Sequence, residues 1–212
     1  MSKRSYLYLG LSLWVLTVIF VAAPIWPYVF YRLSPGTSEV LASTIGNTVP
    51  GLVSPGTVAG TPDSSQVKPA LPLPDFDPSL PKENGLLIKK IGVRGEIHEG
   101  GNWAEILKTG IWRVPDFGTP EDNTLPIILA AHRFGYVTWT NSFRTLNSFY
   151  NLPKLKVGDQ VEVVWNQRKY VYEIYQEETG TAITDYTANL ILYTCDLWNS
   201  PTRIFKYAKR VY

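Results

Sequence analysis

Cys195 is the only cysteine in the chain, and it closes the apolar run LILYTC, residues 190–195. The same stretch continues as DLWNSPTR and ends on Arg203. Upstream, His132 closes a second apolar run, LPIILAAH, residues 125–132. A cysteine nucleophile needs a thiolate, a proton acceptor, and donors for the oxyanion formed when it attacks a carbonyl. Cysteine, imidazole and a guanidinium with its fixed fork of donors meet those needs. Each residue also has a plain reading. A lone cysteine commonly packs as a small hydrophobe, a histidine after a strand is commonly structural, and a loop arginine is commonly solvated. What favours chemistry is that all three stand at strand ends, where one rim of a sheet can gather them. Papain-like proteases place cysteine before histidine, opposite to the order here. A Ser-His-Gly-Cys run, which marks one class of exported cysteine enzyme, is missing.

The elements that must position these residues are short and β-prone. The runs are LLIKKI (86–91), GIWRV (110–114), LPIILAAH (125–132), QVEVVW (160–165), KYVYEIY (169–175), LILYTC (190–195) and RIFKYA (203–208). Gly and Asn punctuate them. VEVVWNQRKYVYEIY reads as a hairpin turning at Asn166–Gln167. NWAEILKTG (102–110) and TNSFRTLNSFY (140–150) read as short helices, the first ended by Gly110. The expected fold is all-β with one or two short helices, a closed barrel of about seven or eight strands. No internal repeat is present.

Composition narrows the function classes. The net charge is +2 and the basic residues are scattered, so no nucleic-acid footprint is expected. One cysteine excludes an intramolecular disulfide framework and a cysteine-based zinc site. Aromatic residues make up 13% of the chain, which suits a β-rich body.

The chain is not uniform along its length. Residues 1–5 carry Lys3 and Arg4 and are expected to be cytoplasmic. Residues 6–31 are expected to be a transmembrane signal-anchor. Their first part, YLYLGLSLWVLTVIFVAA, has no charge, and Trp26, Tyr28 and Tyr31 lie near the far end like an interfacial belt. The competing reading is a signal peptide cleaved after VAA at 21–23. Residues 32–83, rich in Pro, Gly, Ser and Thr, are expected to be a disordered stalk. Its random-coil reach is on the order of 40 Å. Residues 84–212 are expected to be the folded domain, outside a cell membrane that the chain crosses once.

LILYTC followed by an arginine, with ILAAHR upstream, resembles the sortases, the cysteine transpeptidases of bacterial cell surfaces. FRTLNSFYNLPKLKVGDQVEV (143–163) resembles the family's Phe-x-x-Leu element, Gly-Asp turn and strand. LLIKKIGVRGEIHEGG resembles its opening strands, and an anchor plus linker matches its usual layout. The chain departs from the signature at Ile191, where the family has threonine, and at Ala131, where glycine commonly precedes the histidine.

The resemblance implies Cys195 as nucleophile, His132 as general acid then base, and Arg203 as oxyanion and substrate binder. It implies Thr194, Ala131 and Leu192 as substrate-binding neighbours. It further implies cleavage of an LPXTG-like C-terminal sorting signal on surface proteins. A thioacyl intermediate would then transfer to an amine acceptor such as lipid II or a pilin lysine. It assigns no subclass. It implies no metal and no obligatory cofactor; the carboxylates that would recruit calcium, as in some sortases, are Glu96, Glu99, Glu177 and Glu178, which lack a recognisable loop spacing. His98, in GEIHEGG, reads as structural or solvated. The alternative to an enzyme is a non-catalytic β-barrel binding module on a stalk, with Cys195 buried and inert.

Overall fold

Alternation of apolar and polar residues builds the sheet. In strand β5 (Gln160–Trp165) Val161, Val163 and Trp165 are buried while their neighbours are not, the period-two pattern of a strand with one face on a core. It turns back into β6 (Arg168–Gly180) through Asn166 and Gln167, both at positive φ, 50° and 55°. Two consecutive left-handed residues make the type I′ turn that matches strand twist, so the expected hairpin is present. The computed structural model describes residues 8, 10–20, 71–122, 124–197 and 201–211.

The remaining strands are β1 (Gly85–Ile88), β2 (Val93–His98), β3 (Ile111–Arg113), β4 (Ile127–Ala130), β7 (Leu190–Cys195) and β8 (Arg203–Arg210). They close into a barrel in the order β1-β2-β3-β4-β7-β8-β6-β5. The pairs β2–β3 and β4–β7 are parallel, and the others are antiparallel. The eight-stranded closed barrel matches the expected fold class. β2 is no apolar run; it lies in GVRGEIHEGG, within the stretch that resembles the family's opening strands. Its exposed positions are Arg94 and Glu96, and Gly95 interrupts its apolar face.

Two cores result. The barrel interior takes Leu86, Val93, Ile111, Leu129, Val163, Tyr172, Leu192 and Ala208, among others, from all eight strands. A second core lies on the outside of β3, β4, β7 and β8, formed by Trp112, Ile128, Ala130, Ile191, Tyr193, Cys195, Phe205 and Tyr207. Strand β7 is therefore buried on every residue, which is why its sequence is a continuous apolar run rather than an alternating one.

Helix α1 (residues 10–20) belongs to a separate N-terminal unit. Its hydroxyls bond back one turn, Ser12 Oγ to Tyr8 O at 3.0 Å and Thr17 Oγ1 to Leu13 O at 2.9 Å. Among the described residues no helix is long and apolar enough to cross a membrane. Most of the expected anchor, and the expected stalk up to residue 70, lie outside the described residues.

Helix α2 (Trp103–Thr109) ends where Gly110 N–H donates to Ile106 O. Helix α3 (Asn141–Asn147) begins at Thr140, whose side chain accepts from Phe143 N–H at 3.1 Å. Residues 71–83, expected as the end of the stalk, lie along the β5–β6 hairpin instead. Asp77 N–H donates to Gln167 O at 2.9 Å. Gln167 Nε2 donates to the carbonyls of Pro78 and Leu80 at 3.2 and 3.0 Å. Prolines have no N–H, but their carbonyls accept readily, and Arg168 and Arg210 donate to those of Pro74 and Pro72.

Candidate active site

Cys195 and Arg203 are direct cross-strand partners in the antiparallel β7–β8 pair. Opposed residues have Cβ atoms about 5 Å apart and project to the same face. That face is the outer one, since Tyr193 and Cys195 both pack in the outer core. Beyond this rung the two strands separate, with Asp196 N–H still held by Thr202 O at 3.0 Å.

His132 follows β4, which runs parallel to β7 with Ala130 opposite Tyr193. Extending that register by two residues brings His132 level with Cys195. One contact confirms the extension: Thr194 Oγ1 donates to Ala131 O at 2.8 Å. Ala130 faces the outer core and Ala131 the interior, so alternation sends His132 to the outer face as well. Three residues from distant parts of the sequence therefore share one rung and one face. Among the described contacts, no hydrogen bond joins Sγ to the imidazole.

All three side chains are desolvated. Cys195 is 3% exposed, His132 6% and Arg203 0%. Burial pushes the Cys195 thiol above its ordinary value, opposed by the charges of Arg203 and Arg133 and by a backbone hydrogen bond. Burial also pulls the His132 imidazole down from 6.5 to about 4. At neutral pH the pair rests as a thiol and a neutral imidazole, the form in which imidazole can accept a proton. Arg203 Nη1 donates to Thr202 O at 2.9 Å, which orients the guanidinium along the strand end.

The imidazole sits in an aromatic frame. Tyr136 Oη lies 3.4 Å from His132 Nε2, and the two rings meet edge to face at 5.4 Å. Trp139 packs at 6.2 Å from the imidazole and 5.4 Å from Tyr136. Phe149 N–H donates to His132 O at 2.9 Å, fixing the main chain.

The other residues singled out from sequence fall elsewhere. Leu192 and Ala131 are part of the barrel interior, and Thr194 is fully buried with its hydroxyl spent on Ala131 O. His98 ends β2, separated from β7 by β3 and β4, with Nδ1 3.9 Å from Glu96. The four carboxylates considered for calcium do not converge. Glu99 pairs with Arg113 at 2.5 Å, Glu177 with Lys206 and Lys156, and Glu178 accepts from Tyr207 at 3.1 Å. Among the described residues no group of three or more His, Cys, Asp or Glu could hold a metal ion.

Sequence reasoning missed Arg133, Asp196, Tyr136 and Trp139. The first two carried a readable signal, opposite charges directly following the histidine and the cysteine. The aromatic pair carried none, because its contact depends on the fold of the 133–140 loop.

A family model described as a Sortase domain matches residues 86–211. No curated protein is matched by the chain. A crystal structure of sortase C1 from Streptococcus agalactiae is 23% identical, with a TM-score of 0.50, covering 65% of this chain and 71% of that one. A type III crystal structure of Streptococcus agalactiae sortase C1 is 17% identical, with a TM-score of 0.50 over 85% of this chain and 88% of the other. These two share the barrel fold with this chain. Sortase D5 of Clostridium perfringens is 23% identical with a TM-score of 0.49, covering 62% and 79%.

Proposed function

The chain belongs to the sortase family of cysteine transpeptidases, and we propose that it cleaves an LPXTG-like C-terminal sorting signal at the cell surface and transfers the protein to an amine. Cys195 attacks the carbonyl of the scissile Thr–Gly bond. His132 takes the thiol proton and delivers it to the departing glycine amine. The resulting thioacyl enzyme is resolved when His132 accepts a proton from the incoming amine, from lipid II or a pilin lysine, and Cys195 leaves as the thiol. Arg203 stabilises the oxyanion in both steps. Thr194, Ala131 and Leu192 act from behind, fixing the backbone of the rim. The apolar N-terminal segment anchors the chain, single-pass, and the stalk holds the barrel outside the membrane.

The observation that carries this reading is the shared rung of Cys195, Arg203 and His132 on one face. Burial of Cys195 also suits the alternative of a non-catalytic binding module. What favours catalysis over it is that an imidazole and a guanidinium come to the same rung as that thiol, the set that nucleophilic chemistry needs.

The test uses the full chain in detergent micelles with a fluorogenic peptide containing LPXTG. The wild type releases the Gly-containing fragment. Cys195→Ala, His132→Ala and Arg203→Ala each lose cleavage while circular dichroism stays native. Cleavage at the wild-type rate by Cys195→Ala would overturn the reading. Sedimentation of the protein with cell membranes, with the barrel open to added protease on the outer side, tests the anchor and its orientation.

A further inference from the structure

The parallel ladder between β4 and β7 stops at Ala130–Tyr193, yet His132 must stay level with Cys195 two residues further on. Backbone pairing no longer does this, and side chains take over. Thr194 Oγ1 bonds Ala131 O at 2.8 Å. On the far side of His132, Arg133 Nη1 donates to the main-chain carbonyl of Asp196, and the Asp196 carboxylate lies 3.5 Å from the same nitrogen. Residues 131 and 133 are thus each tied to the residue across from them, 194 and 196. The catalytic pair lies on the rung between.

We propose that Arg133 is a positioning residue for the transpeptidation: its guanidinium, anchored on the Asp196 carbonyl, clamps the ends of β4 and β7 so that His132 faces Cys195. This rests on the catalytic assignment made above. The planar guanidinium matters, because it holds rigidly the one nitrogen, Nη1, that meets both Asp196 oxygens, whereas a lysine ammonium ends a flexible stem that does not keep the register. The clamp also keeps a cation near the thiol. The charged and titratable groups around Cys195 are Arg203 and Tyr193 from β8 and β7, His132 and Arg133 from the end of β4, and Asp196 beyond the cysteine.

The experiment compares full-length Arg133→Met, Arg133→Lys and Asp196→Asn with wild type and Cys195→Ala. It reads kcat and KM for the LPXTG peptide and the pH profile of iodoacetamide alkylation, which reports Cys195 alone because no other cysteine exists. For Arg133→Met, kcat falls about 100-fold with little change in KM, the scale of an ångström of misplacement. Its alkylation midpoint moves to higher pH because a cation is lost. Arg133→Lys restores the midpoint and leaves kcat depressed. Asp196→Asn lowers kcat less than Arg133→Met does, because the main bond is to a carbonyl that the substitution leaves in place.

Wild-type kcat in Arg133→Met, or full recovery of kcat in Arg133→Lys, overturns the proposal. Where Arg133→Met fails to fold, Arg133→Lys decides by the same criterion. Cleavage retained by Cys195→Ala would instead remove the catalytic assignment, so the two failures are distinguishable.

Discussion

Acidification destabilises this protein in part through a side chain that has no solvent to receive its charge. His132 is buried, and burial holds its imidazole at about 4 against an ordinary 6.5. The folded value lies below the unfolded one, so between the two the unfolded chain binds more protons. Stability therefore falls as pH drops from about 6.5 towards about 4. The separation of roughly 2.5 pH units, at 1.36 kcal/mol each, corresponds to about 3 kcal/mol in full. About 2 kcal/mol of this is lost between roughly pH 7 and pH 5, before the folded histidine itself titrates.

The perturbation is His132→Gln, a neutral side chain of similar reach, and the assay is urea denaturation of both proteins across that range. Carboxylates held low in the folded state lose stability in the same direction. Glu177, kept below the usual range by its hydrogen bond from Lys206, is one of them. They act equally in both proteins, so the difference isolates His132. The wild type loses about 2 kcal/mol more than the variant on going from about pH 7 to about pH 5. Parallel stability profiles, within about 0.5 kcal/mol of each other, would refute the claim that His132 is held neutral by burial.

Further outcomes follow from single contacts. Arg203→Lys keeps the charge at the β8 end but not the planar fork, and kcat for the LPXTG peptide falls about 100-fold or more while far-ultraviolet circular dichroism is unchanged. Gly135→Ala forces a side chain onto a residue at φ 70° whose Cβ would lie 2.1 Å from Trp139. It costs about 1–2 kcal/mol by thermal denaturation from backbone strain, more if Trp139 cannot move, and lowers kcat because Trp139 packs on His132. Lys206 is 1% exposed and bonds Leu155 O at 2.7 Å as well as Glu177. Glu177→Gln leaves that buried ammonium without its carboxylate and lowers stability by about 2 kcal/mol in urea titrations, discounted because Glu177 is partly exposed.

Local features were legible wherever a short-range rule decided them. The Asn166–Gln167 turn and the Gly110 helix end were visible because each depends on residues a few positions apart. The six-residue run LILYTC read as a strand, and the structure buries all six of its residues. β2 was legible only through the resemblance of LLIKKIGVRGEIHEGG to the family's opening strands, because Arg94, Gly95 and Glu96 break up its apolar pattern. The substrate-binding expectation for Thr194 ran against a rule already available. In a strand the neighbour of an outward residue points inward, so Thr194 next to Cys195 faces the barrel interior, and Leu192 and Ala131 share that parity.

The sequence by itself determined which side chains were available for chemistry, which runs would be strands, and which residues of a strand share a face. Those follow from side-chain type and from periods of two and 3.6, which are properties of the local chain. Only the tertiary structure decided that β4 lies parallel beside β7 and β8 antiparallel on its other side, the arrangement that sets His132, Cys195 and Arg203 on one rung. It also decided that the rung is dry, which shifts the thiol and imidazole away from their ordinary values. Strand order and burial come from contacts between residues far apart in the chain, settled by the packing of the whole barrel, and no local pattern encodes them.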